Sequence, residues 1–395
     1  MKVYFAPCGI GLGHAGRCIP IAKRLAEENI EIVFSTYREG IDYVEREKFP
    51  LLKAPPIGFQ VRPDGSVDFR QTAINPGPFI ASFTLLKQVG FELNAIGNIR
   101  PDIVVSDSRV SPLMAARLLG IPRVCILNQF QMRVPRKKRF LRLSRLAESA
   151  MLAFIGLTWT MGNSVLIPDF PPPYTICEGN LVIPKVYRKN VKLIGPILPE
   201  HPNSLPTKER LREKLNLPMD KPVIFVPISG PTTEKAFVSG VLRKILLDFP
   251  SDYEIVISYG CPNADTKPIR HGNVTIYKWL PNRFEYLKAC DVVIGRAGHG
   301  TITQSICYGK PMIIIPTPGH TEQLTNARQA KNLGVAKIVL QEMLDKTKLL
   351  KCVRQMLQPD TIRRTEEIQR EALKYDGLES AAKEIIAAAE SKQML

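Results

Sequence analysis

The sequence predicts an α/β protein made of two doubly wound domains, each a parallel sheet with helices on both faces. Three observations predict it. Short apolar runs alternate with helical patterns along the 395 residues, a proline-rich polar stretch at 194–206 interrupts the alternation, and each half has a glycine-rich turn between a strand and a helix. Short buried strands separated by helices favour parallel pairing with crossover connections. We expect the two sheets to face each other across a cleft.

Hydrophobic patterning gives the individual elements. In the first half it predicts a helix over 15–28 and strands at 3–7, 31–35, 103–106 and 123–127. In the second half it predicts a final helix over 366–389 and strands at 223–226, 254–257, 274–277, 292–294 and 312–315. The predicted domains are residues 1–198, residues 199–370 and a closing C-terminal helix within residues 371–395.

Charge and cysteine content narrow the class of protein. The formal net charge of +17 predicts an anionic partner. The eight cysteines include no CxxC pair and no zinc-type spacing, which predicts a reducing, cytoplasmic location and no structural metal. The first strand turns to glycine too soon for a signal peptide, so we expect none, and no apolar run reaches the roughly 20 residues that cross a bilayer.

The stretch GLGHAGR, residues 11–17, follows the first strand and contains a dinucleotide fingerprint in Gly11, Gly13 and Gly16. Such glycines let the backbone turn tightly into a helix whose N-terminus attracts anions. A dinucleotide site also needs an acid after the second strand, where this chain has Arg38. Because an arginine there suits a 2′-phosphate, an NADP-dependent oxidoreductase remains open.

The second half contains three motifs in a fixed order. YKWLPN, residues 277–282, places an aromatic residue at a strand end. CDVVIGRAGHGTITQS, residues 290–305, reads as strand, glycine turn and a helix that begins at Thr301. PTPGHTEQ, residues 316–323, ends in an acid and an amide. An aromatic face, an anion cradle and a polar pair together predict a nucleotide-sugar site.

On these residues the chain resembles the UDP-sugar glycosyltransferases of the GT-B fold. It is similar to the lipid-linked N-acetylglucosaminyltransferases of peptidoglycan precursor synthesis and to the broader UDP-glycosyltransferases. The resemblance implies inverting, metal-independent transfer of a hexose, with N-acetylglucosamine as first candidate, from a UDP-sugar to a hydroxyl or phosphate of a lipid-linked or hydrophobic acceptor. It implies no cofactor, the UDP-sugar being a substrate. A UDP-N-acetylglucosamine 2-epimerase-like enzyme and a non-catalytic membrane-docking subunit remain open.

The resemblance also implies donor-binding residues in the second domain. Trp279 would stack on uracil, and the Leu280 backbone would pair with its edge. The diphosphate would lie against Ser229, Gly230, Arg296, Gly298, His299, Gly300 and Thr301. Glu322 and Gln323 match an acid–glutamine pair that holds sugar hydroxyls. Gln304 stands where these families place a ribose-binding glutamate, and an amide lacks the charge-assisted strength of a carboxylate.

In this family the first glycine turn, with Gly11 and Gly13, places His14 at the cleft mouth as the base that deprotonates the acceptor hydroxyl. Asp107 follows the strand at 103–106 and matches the aspartate of the His–Asp dyad in many UDP-glycosyltransferases. The peptidoglycan-type enzymes generally lack this aspartate, so the chain mixes features of both groups. The alternative for His14 is a helix-capping or surface role.

A basic segment, residues 133–145, carries seven Lys or Arg and no acid, and it runs into the apolar residues 150–162. This arrangement predicts docking at the inner face of an anionic membrane. The expected contacts are Arg136, Lys137, Lys138, Arg139, Phe154 and Trp159. The alternative is that the apolar part is domain core and the charges are solvated. No nucleic-acid-binding motif accompanies the basic residues, so we expect no nucleic-acid partner.

Overall fold

The computed structural model describes residues 1–57, 62–66, 77–129, 156–160, 164–181, 183 and 185–391. Within them, the predicted pair of doubly wound domains is confirmed as two seven-stranded sheets.

The first sheet is parallel throughout and has the order β3-β2-β1-β4-β5-β6-β7. Its strands are β1 (Lys2–Pro7), β2 (Glu31–Thr36), β3 (Leu51–Lys53), β4 (Ile103–Asp107), β5 (Arg123–Ile126), β6 (Ser164–Ile167) and β7 (Val191–Leu193). Its helices are α1 (Gly13–Ala26), α2 (Glu39–Arg46), α3 (Gly77–Ile99) and α4 (Val110–Leu118). The central strands β1 and β4 are almost entirely buried because helices cover both faces of the sheet.

The second sheet has the order β10-β11-β9-β8-β12-β13-β14, and β10 is antiparallel to β11. Its strands are β8 (Val223–Pro227), β9 (Glu254–Ser258), β10 (Ile269–His271), β11 (Val274–Tyr277), β12 (Val292–Gly295), β13 (Met312–Ile314) and β14 (Ala336–Ile338). The helices are α5 (Lys208–Lys214), α6 (Thr232–Leu247), α7 (Arg283–Ala289), α8 (His299–Cys307), α9 (Thr321–Asn332), α10 (Lys346–Met356), α11 (Pro359–Ala372) and α12 (Gly377–Glu390).

The prediction of one closing helix over 366–389 is wrong. The chain forms α11 and α12, and the Asp376 carboxylate between them accepts a hydrogen bond from Glu379 N–H to start α12. Helix α8 begins at His299 and not at Thr301. The strands that hydrophobic patterning missed, β3, β6, β7, β10 and β14, are only three or four residues long.

Helix α12 returns to the first domain. Its buried residues Ala382 and Ile385 join the core formed by α1 and the first sheet, and Glu379 pairs with Arg24 of α1. Conversely, Phe170 and Ile176 pack in the core of the second domain. The domain boundary after residue 198 stays a prediction, because residues on each side of it pack in the core of the other domain.

Each sheet reverses its strand order once near its centre, between β1 and β4 in the first and between β8 and β12 in the second. Open α/β sheets bind ligands outside the carboxyl ends of the strands at such a switch point. The glycine turn after β1, Asp107 at the end of β4, and the turns after β8 and β12 all lie at these positions.

Candidate active site

The glycine turns of the two domains contact each other. Gly11 has a φ of +68°, and a Cβ added to it would lie 3.3 Å from the carbonyl carbon of Gly230 and from the nitrogen of Pro231. A Cβ on Gly298 would lie 3.9 Å from Ser229 Oγ. The turns after β1, β8 and β12 therefore converge, and glycine allows their close approach.

His14 and Asp107 form the predicted dyad. His14 Nδ1 lies 2.7 Å from Asp107 Oδ1, so the protonated Nδ1 donates to the carboxylate and Nε2 is the nitrogen left for a substrate. The Asp107 side chain is fully buried, whereas 24% of the His14 side chain is exposed. The imidazole is therefore accessible and its partner is shielded from water.

Arg17, one helical turn after His14, completes this cluster. Its Nη2 donates to Asp107 Oδ1 at 2.7 Å, and its Nε donates to Oδ2. Burial alone would raise the pKa of Asp107, but the charges of Arg17 and His14 outweigh it and lower that pKa to about 2. Burial opposes the charge of Arg17 itself, yet Asp107 holds its pKa above the usual value.

Asn128, which follows β5, joins this cluster to the second domain. Arg17 Nη2 lies 3.4 Å from Asn128 Oδ1, and Asn128 Nδ2 donates to Glu322 Oε1 at 2.7 Å. Glu322, the predicted sugar-binding acid in the first turn of α9, therefore lies at the cleft opposite the dyad.

Gln323 and Arg296 stabilise the loop before α9. Gln323 Oε1 accepts a hydrogen bond from Thr317 N–H at 2.9 Å, which leaves its amide nitrogen as the group for a ligand. The Arg296 side chain is buried and donates to Thr317 Oγ1 and Gln341 Oε1. Burial lowers the pKa of Arg296 to about 10, against the opposing effect of Glu234. Arg296 can therefore serve the predicted diphosphate site mainly through its backbone.

Trp279 and Leu280 are both buried. The guanidinium of Arg46 lies 5.2 Å from the centre of the Trp279 ring and covers one face, and the Tyr43 ring contacts it edge-on at 5.4 Å. Arg46 also donates to the carbonyl of Ala264 at 3.1 Å. The face of the indole beneath Arg46 is therefore closed to a base in this arrangement.

His299 begins α8, but its side chain faces the first domain. Its Nε2 lies 3.0 Å from Asp169 Oδ2, and both side chains are almost fully buried. These two residues and Cys177 bring ligand-type atoms within 4.8 Å of one another. However, the Asp169 carboxylate also accepts backbone N–H groups of Phe170, Ile176 and Cys177, so it already has a structural role. Through its side chain, His299 holds the turn after β12 in place.

The other residues predicted around the second glycine turn lie along the first turns of α8. A Cβ on Gly300 would lie 3.9 Å from the amide nitrogen of Gln304, and one on Gly298 would lie 3.8 Å from Thr301 Oγ1. Gln304 is half-buried. The ribose role of Gln304 and the phosphate roles of Gly300 and Thr301 stay predictions.

A carboxylate lies between the glycine turns. Glu39, in the first turn of α2, accepts Gly11 N–H at 3.3 Å and Thr232 N–H at 3.2 Å. Thr232 is the first residue of α6, next to Ser229 and Gly230. An anionic group can thus be bound by backbone donors from both domains at once.

Of the six predicted membrane contacts, five lie outside the described residues, namely Arg136, Lys137, Lys138, Arg139 and Phe154. The prediction that Trp159 inserts into a membrane is wrong. Its side chain is 5% exposed and packs with Leu113, Leu127 and Val165 in the first-domain core. In the part of the chain that the structure describes, no helix is both long and apolar enough to span a bilayer.

Comparisons with known proteins point to glycosyltransferases. Residues 221–385 match the model of the glycosyltransferase family 28 C-terminal domain. A glycosyltransferase of Methanosarcina mazei is 28% identical over 386 residues, which cover 95% of this chain and 96% of the relative. A UDP-N-acetylglucosamine--N-acetylmuramyl-(pentapeptide) pyrophosphoryl-undecaprenol N-acetylglucosamine transferase of Caldanaerobacter subterraneus is 26% identical over 90% of this chain and 91% of its own length.

Solved structures share the architecture. The calicheamicin glycosyltransferase CalG4 superposes with a TM-score of 0.65 at 17% identity over 98% of both chains. MurG of Acinetobacter baumannii superposes with a TM-score of 0.56 at 17% identity over 98% of this chain and 99% of its own.

The chain is a glycosyltransferase of the GT-B fold. Along most of its length it is similar to an N-acetylglucosamine transferase, and it shares its fold with CalG4 and MurG. None of these matches supports the oxidoreductase or epimerase alternatives.

Sequence reasoning missed three residues of the glycosyltransferase's cleft: Arg17, Asn128 and Glu39. Arg17 could have been found, because it lies three residues after His14 and therefore on the same face of α1. Asn128 follows a strand end, a common place for site residues. Nothing in the sequence around Glu39 indicates that it contacts the second domain.

The low pKa of Asp107 makes the stability of the glycosyltransferase depend on pH. The folded pKa of about 2 lies below the roughly 3.9 of an unfolded aspartate, so the ionised carboxylate stabilises the fold above pH 4. This contribution is lost as the pH falls toward 2. Between pH 5 and pH 3 we expect the wild type to lose roughly 1 kcal/mol more unfolding free energy than Asp107→Asn.

Urea unfolding at the two pH values, followed by circular dichroism, measures this difference. Asp248→Asn is the control, because the side chain of Asp248 is 75% exposed, and this variant should follow the wild type. Equal losses in the wild type and Asp107→Asn would contradict the expected contribution of the buried carboxylate.

Proposed function

We propose that the enzyme transfers a hexose from a UDP-sugar to a hydroxyl group of a lipid-linked or hydrophobic acceptor, with inversion at the anomeric carbon. The observation that carries the proposal is the accessible His14 imidazole on the buried Asp107 carboxylate, facing Glu322 across the cleft. A positioned base is needed for a hydroxyl acceptor. A phosphate acceptor is already ionised at neutral pH and needs none, so the dyad favours a hydroxyl.

In the proposed reaction, His14 Nε2 takes the proton of the acceptor hydroxyl while the oxygen bonds to the anomeric carbon. The bond between that carbon and the β-phosphate oxygen breaks, and its electron pair leaves with UDP. One displacement from the opposite side inverts the configuration. Asp107 holds the imidazole through Nδ1–H and stabilises the imidazolium that forms.

Several features support a UDP-sugar as the donor. Relatives along most of the chain include transferases named for UDP-N-acetylglucosamine. Trp279, the N-terminus of α8 and Glu322 follow the order base, diphosphate, sugar. The N-termini of α6 and α8 supply backbone N–H groups for the charge on the departing UDP, so the proposed mechanism uses neither a metal nor a cofactor.

The acceptor and location are proposed from the relatives and from charge. The Caldanaerobacter relative is named for a pyrophosphoryl-undecaprenol acceptor. A basic segment at 133–145 suits an anionic membrane surface. We propose peripheral docking at the cytoplasmic face of the membrane, where the enzyme would meet a lipid-borne acceptor.

The donor assignment predicts the ligand preference in calorimetry. UDP and UDP-N-acetylglucosamine should bind, and NADP should not. Glu322→Gln should weaken UDP-N-acetylglucosamine binding roughly tenfold, because a charge-assisted hydrogen bond to the sugar is lost, while UDP affinity stays unchanged. Preferential binding of NADP that is abolished by Gly11→Val or Gly13→Val would overturn the donor assignment.

The base assignment predicts a loss that depends on the acceptor. With UDP-N-acetylglucosamine as donor and octyl β-D-glucoside as hydroxyl acceptor, His14→Ala should reduce UDP release roughly 10²–10⁴-fold with donor affinity nearly intact. Asp107→Asn should lose part of the same factor, non-additively. Undecaprenyl phosphate is the comparison acceptor, because its ionised oxygen does not need the base. Near-normal transfer to octyl glucoside by His14→Ala would show that the base lies elsewhere.

Membrane docking predicts salt-sensitive vesicle binding. The enzyme should bind phosphatidylglycerol vesicles at low salt, bind them weakly at high salt, and bind phosphatidylcholine poorly. Replacing Arg136, Lys137, Lys138 and Arg139 with Gln should reduce binding without changing UDP affinity. The matched control replaces four cations of α10 with Gln, namely Lys346, Lys348, Lys351 and Arg354. Equal binding by the wild type and the first variant would exclude this segment as the contact and favour a soluble acceptor.

A further inference from the structure

Arg17 lies at the centre of a hydrogen-bonded chain that crosses the cleft. The chain runs from His14 through Asp107, Arg17 and Asn128 to Glu322. Only 11% of the Arg17 side chain is exposed, and the Asp107 side chain is fully buried. The guanidinium is therefore held by its partners and is not a mobile surface group.

Both oxygens of Asp107 receive a hydrogen bond from Arg17, one from Nε and one from Nη2. This two-point contact fixes the plane of the carboxylate, which a single-point cation such as lysine could not do. Asp107 Oδ1 is also the atom that accepts from His14 Nδ1. The orientation of the imidazole, and with it the direction of Nε2, therefore depends on Arg17.

The guanidinium also changes the electrostatics of the base. Arg17 Nη2 lies 3.0 Å from His14 Nδ1, so both groups direct hydrogen toward the same carboxylate oxygen. Because Arg17 is permanently charged, it offsets much of the stabilisation that Asp107 would give to a protonated imidazole. The guanidinium and the imidazole N–H therefore share one carboxylate oxygen, with a fixed positive charge beside the ring.

The groups that face His14 and Asp107 come from several elements. In the described part of the chain the charged ones are Arg17 of α1 and, through Asn128, Glu322 of α9. The nearby thiols of Cys18 and Cys125 are neutral, because burial raises their pKa well above its usual value. Ser108 donates to Asp107 Oδ1 at 3.1 Å and carries no charge. Arg17 is therefore the cation that distinguishes this dyad.

We propose that Arg17 is a positioning residue that fixes the His14–Asp107 dyad, keeps a positive charge beside the imidazole, and through Asn128 orients Glu322 toward the donor sugar. The proposal rests on the proposed role of His14 as the base. It assigns to Arg17 two separable effects, one of charge and one of geometry. Charge sets the pH range in which the base is free, and geometry sets the rate at saturating substrate.

Two substitutions separate these effects in the full-length enzyme. Arg17→Met removes both, so the acid limb of the pH profile of kcat/KM should move about one pH unit higher and kcat should fall by about tenfold. Arg17→Lys keeps the charge and loses the two-point contact, so the acid limb should stay in place while kcat falls. UDP release from UDP-N-acetylglucosamine with octyl β-D-glucoside is the readout. Arg24→Met, also on α1 but outside the cleft, should match the wild type in both measurements.

Asn128→Ala tests the link to the donor. It should raise the KM for UDP-N-acetylglucosamine and leave the acid limb unchanged, because it removes the contact with Glu322 and keeps the charge of Arg17. An acid limb that does not move in Arg17→Met would overturn the proposal, even if activity falls, because loss of structure alone would produce that result. Unchanged KM values in Asn128→Ala would overturn the donor link.

A second measurement does not depend on turnover. The imidazole signals of His14, in protein labelled with ¹⁵N-histidine and assigned with His14→Ala, should titrate at higher pH in Arg17→Met than in the wild type or Arg17→Lys. Identical titrations in all three proteins would overturn the proposal. Absence of transfer by the wild type, together with the expected titrations, would instead count against the proposed function and leave the placement of Arg17 supported.

Discussion

The proposed chemistry depends on one buried carboxylate, that of Asp107. A buried carboxylate without partners would take up a proton, because removing its charge from water is costly. In this fold, hydrogen bonds fix both the backbone and the side chain of Asp107. Asp107 is paired in register with Pro7 of β1, and its carbonyl accepts Cys8 N–H at 2.9 Å. The sheet therefore places the carboxylate beside the glycine turn that starts α1, where His14 and Arg17 supply the compensating hydrogen bonds. The position of Asp107 is thus set by the register of β1 and β4, and its charge is balanced by residues at the start of α1.

Several of the contacts between the two domains across the cleft join polar groups. Glu39 accepts Thr232 N–H, Asn128 donates to Glu322, and Arg46 donates to a carbonyl of the second domain. Each of these groups can exchange its partner for water or for a ligand at small net cost, unlike a packed apolar surface. The cleft can therefore admit a polar donor without exposing the hydrophobic cores. The Asp169–His299 pair differs because both side chains are buried, and it ties the turn after β12 to the first domain.

The sequence was sufficient for the architecture and for the dyad. Buried parallel strands leave continuous apolar runs, and the resemblance to UDP-glycosyltransferases, together with the position of Asp107 at a strand end, predicted its pairing with His14. Contacts between domains could not be predicted in the same way. Trp279 was expected to be open to uracil, but Arg46 of α2 covers one face of the ring. Trp159 was expected at a membrane and lies in the core. An aromatic side chain looks the same in sequence whether a ligand, a lipid or a neighbouring helix covers it, and only the tertiary fold decides.

The same tertiary contacts bear on how the proposed site would stabilise the charge of a departing diphosphate. Two cations lie near the glycine turns of the second domain, and both are already engaged. Lys235 donates to the carbonyls of Tyr259 and Gly260 at 2.8 and 2.7 Å, and Arg296 donates to Gln341 and Thr317. Burial lowers the pKa of each. Their side chains therefore hold the loops in place, and the backbone N–H groups at the N-termini of α6 and α8 are the donors proposed for the diphosphate. Thr232 N–H, at the N-terminus of α6, already donates a hydrogen bond to the Glu39 carboxylate.

Backbone donors that buried side chains hold in place need no reorganisation as charge develops on a leaving group. Under that condition electrostatic stabilisation of the leaving group is most effective.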